Sequence, residues 1–407
     1  MRSTRLHYFA IVSLAMVSLL ICRPARGGGI EVPMQDAKAA GEADAFTAQA
    51  DDPSAIFYNP AGLTQLHGTN ASAGAYLLFP EFHVSGPAGN ESMSLMSILP
   101  HFYAESDFGT KNWRFGIGGV NEFGINEDWG NQGQVAPLVD KAQLAVLNLA
   151  PTAAYQVNEH LSVGAALNIY YGTLYLQRNV IFGGGLPPGT FHFRGDDFAL
   201  GFTPSIMYKI DDRSSIGAYY RSPFSLHFDG RAQVTSTVIP EIGPSPAHAT
   251  LNFPESAGIG YSYKPIEPLT LEADIIWTDW HAVDQLSLQS GNPAFNGQAI
   301  PAHWQSGFTF RVGSQYKLSD HWAIRAGYAY SQNAEPTNTF TPLAPDSNYH
   351  LFALGGGYST DRWAIDIAYQ FILRENRHIS NNIASPLVDG KWSNNMNGLM
   401  ITGTMKF

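Results

Sequence analysis

The chain has 407 residues, a formal net charge of −11, 14% charged and 13% aromatic residues, 40 glycines and a mean hydropathy of −0.11. So few charges argue against an ordinary soluble domain, where about 25% is usual, and so middling a hydropathy argues against a bundle of membrane helices. The acidic balance argues against nucleic acid as a partner, because phosphate backbones recruit basic surfaces.

Residues 1–27 read as a secretory signal. Arg2 and Arg5 supply the charged start, and Phe9 to Cys22 an apolar run too short for an ordinary membrane span. Ala25-Arg26-Gly27 offers small residues for cleavage, so the mature chain starts near Gly28. A lipoprotein signal at Leu20-Ile21-Cys22 is disfavoured, because Ile21 stands where a small residue is wanted. Cys22 is the one cysteine, so the mature chain has no disulfide, no iron–sulfur cluster and no thiol nucleophile. Loss of four arginines (Arg2, Arg5, Arg23 and Arg26) and no acid moves the formal charge from −11 to −15.

Residues 28–66 do not read as a strand hairpin. AKAAGEADAFTAQA (37–50) is weakly helical and rich in small residues. DDPSAIFYNPAGL (51–63) then announces two helix starts, at Asp52-Pro53 and Asn59-Pro60, with no room for a full helix between them. Asn59 is expected to accept from the backbone N–H of Gly62 or Leu63, and Pro60 gives up an N–H that would be unpaired anyway. Compact turns with satisfied ends suit a plug inside a barrel, where loose polar backbone is costly.

From residue 67 onward the period changes to two. Leu161, Val163, Ala165, Leu167, Ile169 and Tyr171 alternate with Ser162, Gly164, Ala166, Asn168 and Tyr170; Trp363, Ile365, Ile367, Tyr369 and Phe371 alternate with Asp366, Ala368 and Gln370. Short polar turns are expected at 107–112, 157–160, 210–214, 264–268, 318–321 and 359–362. Long Gly/Pro/Asn-rich loops are expected near 81–97, 121–142, 179–193, 230–247, 282–302, 333–347 and 376–396. This predicts an all-β fold: a transmembrane antiparallel barrel of about fourteen strands over 67–407, each strand with room for roughly ten residues. Tyr170, Tyr171, Tyr219, Tyr220, Trp277, Trp280, Trp322 and Trp363 are placed at the lipid interfaces, and Arg221, Glu272, Asp274, Arg311, Arg325 and Asp366 point inward. A soluble β-sandwich would also alternate, but it would not need the short/long loop asymmetry or the aromatic girdles.

ADDPSAIFYNPAGL (Ala50–Leu63) resembles the signature of the FadL family of outer-membrane transporters of hydrophobic compounds, with its Asn-Pro-Ala at Asn59, Pro60 and Ala61. YYRSPFSLHFDG (Tyr219–Gly230), NFPESAGIGYSY (Asn252–Tyr263) and LTLEADIIWTDW (Leu269–Trp280) support the resemblance, which covers essentially the whole mature chain. The resemblance implies a fourteen-stranded barrel closed by a hatch of short helical turns over 28–66. It implies ligand capture at outer loops, a site inside the barrel next to the hatch, and lateral exit through an inward kink of the third strand. No cofactor is implied. The third strand is expected to run Trp113–Val120, and the glycines in and just after it place the expected opening near Gly118, Gly119 and Gly124, since such glycines mark bulges and bends.

Other chemistry finds little support. None of the thirteen histidines, among them His101, His160, His192, His227 and His321, falls in a tight ligating spacing, so no metal site is expected. Glu272 and Asp274 read as partners of Arg311 and Arg325 in a lumen network rather than as an acid/base pair. Gly183-Gly184-Gly185 lacks the strand–loop–helix context and Lys of a phosphate loop. The outer loops are unusually apolar: Leu138, Val139, Leu144, Ile181, Phe182, Leu186 and Phe191 suggest an exposed groove, unless they pack on each other as loop cores or Leu144–Leu149 belongs to the fourth strand.

The expected function is passive uptake of long-chain fatty acids or similar hydrophobic molecules across the outer membrane of a Gram-negative-type bacterium. Phe46, Ile56, Phe57 and Tyr58 are expected along the ligand path, and Arg221, Arg311 or Arg325 as partners of a ligand carboxylate. The expected surroundings are outer-membrane lipid and lipopolysaccharide, around a monomer. The alternatives are an aromatic or alkane hydrocarbon channel of the same family, a porin-like or structural barrel, and an outer-membrane enzyme, for which no nucleophile and base converge in the sequence.

Overall fold

A computed structural model describes residues 29–407 apart from residues 33, 88, 297 and 384. The signal segment and its cleavage point lie outside the described residues. Among the described residues, fourteen strands close one antiparallel barrel. They are β1 Thr69–Gly86, β2 Ser97–Ser106, β3 Trp113–Asp128, β4 Lys141–Gln156 and β5 Leu161–Val180. Next come β6 Gly189–Asp211, β7 Ser214–Arg221, β8 Ser256–Ile266 and β9 Leu269–Thr278. The circuit ends with β10 Gly307–Lys317, β11 Trp322–Ser331, β12 Tyr349–Ser359, β13 Trp363–Arg374 and β14 Gly390–Lys406. Each strand pairs with its neighbours in chain order, and β14 returns to β1 from Asn70↔Lys406 to Ser85↔Lys391. Closure leaves no free sheet edge in the bilayer, where an unpaired backbone group would be costly.

The six short turns stand at the expected ends, and by the usual asymmetry of outer-membrane barrels they mark the periplasmic side. The long loops are shorter than expected, because several strands continue past the membrane. The 23-residue β6 pairs along β5 up to Val180↔Gly189. Phe224–Thr235 prolongs β7 beyond Ser222-Pro223, and Ile242–Phe253 precedes β8 before Pro254-Glu255. Gly, Pro and Asn in these segments read as coil, but cross-strand pairing overrides that propensity.

The lipid-facing side carries apolar residues such as Leu200, Ile259, Leu354 and Ile367, while Glu272, Asp274, Arg311 and Arg325 are buried inside, as expected. Three aromatics assigned to the girdles are instead internal. Tyr170 stacks on Phe224, Trp280 is buried in the apolar core, and Tyr219 lies beside Arg221. Adjacent residues of a strand face opposite sides, so Tyr170 and Tyr171, or Tyr219 and Tyr220, cannot share one face. Trp322 and Trp363 are exposed, in accord with a girdle.

Residues 29–66 fill the lumen. Helix α1 Ala37–Gly41 is capped by Asp36, whose Oδ1 accepts from Lys38 N at 2.7 Å. A second stub, α2 Ala55–Tyr58, starts after Ser54, which makes no side-chain cap hydrogen bond, and not at the expected Pro53; a 3₁₀ turn, Pro60–Gln65, starts at Pro60 as announced. The Asn59 side chain caps the latter by accepting from Ala61 N at 3.1 Å, not from Gly62 or Leu63. Gly62 N donates to the Asn59 carbonyl instead, in the tighter geometry of a 3₁₀ turn. The Asn59 amide donates onward to Thr47 O (2.8 Å) and to Ile206 O of the wall (3.2 Å). The wall opposite is glycine where the plug touches it: a Cβ at Gly164 would strike Pro60 and Ala61, and one at Gly217 would strike Thr47 and Asn59.

Candidate functional site

The third strand is where the barrel departs from regularity. β3 pairs with β2 only from Ser106↔Phe115 to Phe102↔Gly119, although β2 pairs with β1 up to Leu78↔Ser97. Beyond Gly119, β3 leaves β2 and follows β4 alone. A bulge between Asn121 and Phe123 turns its backbone inward. The freed backbone pairs with the plug: Val32 N donates to Glu122 O (2.9 Å), and Gly124 N to Ile30 O (3.0 Å). Two side chains bridge the gap left between β2 and β3. Asn121 Nδ2 donates to Pro100 O at 3.0 Å, and Asn126 Nδ2 to Ser97 Oγ at 3.1 Å.

The glycines of β3 have distinct roles. A Cβ at Gly118 would stand 2.7 Å from Tyr103 Cδ1 and 2.9 Å from Ile56 Cγ2; one at Gly119 would strike the Phe102 ring. Gly116 similarly admits Ile56. Gly124 has ordinary space around it, so close packing does not explain it.

The bulge residue Glu122 is buried and faces Arg221, with Oε1 3.2 Å from Nε. Asn148 donates to Glu122 Oε2 (2.7 Å), and Asn168 donates to Thr203 (2.8 Å), so a polar cluster stands behind the bend. Arg221 also donates to Phe57 O at 2.9 Å, and its guanidinium lies 4.4 Å from the Phe57 ring centroid. Sequence reading missed Glu122. The available signal was an acidic residue in a strand otherwise rich in glycine and apolar side chains.

The other arginines also serve the plug. Arg325 meets Asp366 at 2.7 Å and Glu42 at 3.7 Å, and Arg311 donates to Asp44 O at 3.0 Å. Arg221 and Arg325 therefore already have protein carboxylates. Arg311 has none within 4.0 Å among the described residues, and it lines a cavity of about 60 Å³ with Glu31, Tyr349 and Arg374. Asp274 and Glu272 do not pair with Arg311 and Arg325. Asp274 accepts from Phe46 N (3.0 Å), Thr47 N (3.1 Å) and Thr47 Oγ1 (2.8 Å), and Glu272 accepts from Ala48 N (2.6 Å). The 46–48 stretch lies outside any helix, so its N–H groups need acceptors from the wall.

The hatch aromatics separate into two groups. Ile56 and Phe57 line a small cavity with Tyr103, Gly118 and Val120 behind the bend. Phe46 and Tyr58 are fully packed, edge to face at 5.5 Å, and Tyr58 donates to Asp44 Oδ1 at 2.7 Å.

Above the plug, the outer loops enclose a groove of about 540 Å³, within the range of small-molecule sites. Leu138, Val139 and Phe191 line it, together with Leu286, Phe295 and Phe340, which sequence reading missed. Ile181 and Leu186 are exposed outside it, and Phe182 packs against the core. Leu144 belongs to β4 and lines a second, apolar cavity of about 50 Å³ beneath. Leu176, Leu286, Ile300 and Leu343 border both cavities. A continuous apolar cluster, including Phe191, Leu144, Trp304, Trp280, Ile30 and Phe123, runs from the groove to the bend in β3. No group of three metal-ligating side chains is assembled among the described residues.

A family model described as outer membrane protein transport protein (OMPP1/FadL/TodX) matches residues 18–407. The chain belongs to this family. The long-chain fatty acid transport protein of Escherichia coli K12 is 22% identical, over 89% of this chain and 92% of that protein. Outer membrane protein P1 of Haemophilus influenzae is 21% identical, over 90% of each. Among solved structures, a FadL homologue from Pseudomonas aeruginosa superposes with a TM-score of 0.83 at 20% identity, covering 93% of this chain and 100% of that one. The Pseudomonas putida toluene transporter TodX gives 0.69 at 20% identity, covering 94% and 96%. As a FadL-family barrel, the chain is an outer-membrane transport channel for hydrophobic compounds and not an enzyme.

Proposed function

We propose that this channel carries long-chain fatty acids or similar hydrophobic molecules inward by passive diffusion. The ligand settles in the outer groove, descends the apolar column past Ile30 and Trp280, and reaches Ile56 and Phe57 of the hatch. It leaves sideways between β2 and β3, where Gly118 and Gly119 keep the wall thin. Asn59, Pro60 and Ala61 hold the hatch in shape. The signal segment is 1–27, the hatch 28–66 and the barrel 67–407; the apolar outer face meets membrane lipid and lipopolysaccharide around a monomer. The observation that carries this reading is the continuous apolar cluster joining the groove to the break in β3. A general porin would instead need an open polar lumen, and here the hatch fills it. Aromatic hydrocarbons are the second reading, favoured by the inner cavity, whose lining holds no charged side chain.

The test is native mass spectrometry of the protein in mild detergent, with extraction of whatever co-purifies. Retained fatty acid or hydrocarbon, lost in Phe57→Asp, supports passage beside the hatch and identifies the ligand class. Protein that is empty, fails to bind added oleate and conducts ions steadily across a planar bilayer is a porin.

A further inference from the structure

Among the described residues, the wall of the outer groove is apolar apart from a few neutral polar groups and one charged side chain. That side chain is Arg178, two residues from the outer end of β5. Its guanidinium carbon lies 5.5 Å from the ring centroid of Phe191, and Phe191 belongs to the apolar column leading inward. The ring face attracts the cation and holds it at the groove wall. Below, the described lining of the inner cavity holds Gln143, Thr341 and the Trp304 indole as its polar groups among apolar side chains, and no charge. Charge is thus present at the outer station and absent at the inner one.

We propose that Arg178 is the specificity-determining residue of the outer groove. It binds the carboxylate of an anionic single-chain amphiphile and orients the molecule with its chain toward the inner cavity. This rests on the reading that the channel carries hydrophobic molecules. A guanidinium presents its N–H donors in a planar fork that matches two carboxylate oxygens. Beside apolar walls such a pair is screened less than on an open surface. A neutral hydrocarbon of equal length gains the same chain burial and nothing from Arg178. The groove's preference for an acid over its neutral counterpart therefore depends on this side chain, while affinity for the chain depends on Leu286, Phe295 and their neighbours. Lys at this position keeps the charge and loses the fork, so it retains part of the preference.

The test compares palmitate with methyl palmitate on the mature protein in non-ionic detergent, with folding checked by heat-modifiable electrophoretic mobility. Arg178→Met is expected to weaken palmitate binding about tenfold, the scale of one charge-assisted hydrogen bond, and to leave the ester within about twofold. Arg178→Lys falls between. A palmitate carrying a diazirine beside its carboxyl is expected to label the peptide spanning Arg178 to Phe191 in the wild type and not in Arg178→Met. Equal weakening of both ligands, or unchanged palmitate binding in either folded variant, overturns the role of Arg178 and leaves the transport reading intact. Wild-type protein that binds neither ligand overturns the transport reading, and this inference with it.

Discussion

At the scale of single residues, the buried charges concern the plug more than the ligand. Arg221 is held by Glu122 at 3.2 Å, with Glu31 at 4.0 Å as a more distant partner. Removing one member of a buried pair leaves an uncompensated charge, which costs about 3–5 kcal/mol. Glu122→Ala is expected to destabilise the barrel on that scale in urea unfolding from lipid vesicles, and Glu122→Gln less, since its amide still reaches Asn148. Glu42 adds a pH response. Burial pushes its carboxyl from the ordinary 4.5 up to about 8, against the pull of Arg325 and Lys38. The folded value stands above the unfolded one, so this group's contribution is full below about pH 4.5 and is lost as the pH rises through about 8. Resistance to urea is expected to fall across that window, and Glu42→Gln to flatten this part of the profile. The inward arginines were legible from alternation alone. Their partners were not, because Glu122 and Glu42 lie far from Arg221 and Arg325 in the chain.

At the scale of elements, β3 and the hatch form one unit. The sequence placed glycines at 118, 119 and 124 near an expected bend; in the structure β3 parts from β2 after Gly119, and Gly124 has ordinary space around it. Which residue bulges was not legible, because Glu122 is displaced by pairing with residues 30–32 of a distant segment. The gap between β2 and β3 is spanned by the amides of Asn121 and Asn126. If ligand leaves there, the double variant Asn121→Ala, Asn126→Ala releases preloaded fatty acid into vesicle lipid several-fold faster than wild type. Gly118→Val, whose side chain meets Tyr103 and Ile56, slows it. A stopped-flow transfer assay reads both, and equal rates in all three proteins place the exit elsewhere. The capped turn was legible in Asn59-Pro60, while the stub announced at Asp52-Pro53 starts at Ala55 without a side-chain cap. The choice of Ala61 N as the Asn59 partner depended on 3₁₀ geometry, which Pro60 permits but does not dictate.

At the scale of the whole molecule, the barrel stands between two solvents, and the outer face sets its tolerance. Ile259 and Ile275 are adjacent, lipid-facing and set between Tyr261 and Trp277. Ile259→Arg is expected to cost about 2–4 kcal/mol in folding into bilayers, and Ile259→Leu close to nothing. The sequence by itself determined the class of fold and the strand count, because a period of two and short polar turns are local properties; it did not settle every face, since Tyr170, Tyr219 and Trp280 turn inward. It also pointed to short turns in place of a long helix over residues 51–63, because two Asx-Pro steps leave no room for one. Tertiary structure alone decided where strands end above the membrane, which glycines admit the plug, where β3 breaks and which loops build the groove. Those features arise from pairing and packing between different segments of the chain. Arg178 belongs to the second kind: it is an ordinary strand residue until Phe191 and the apolar loops close around it.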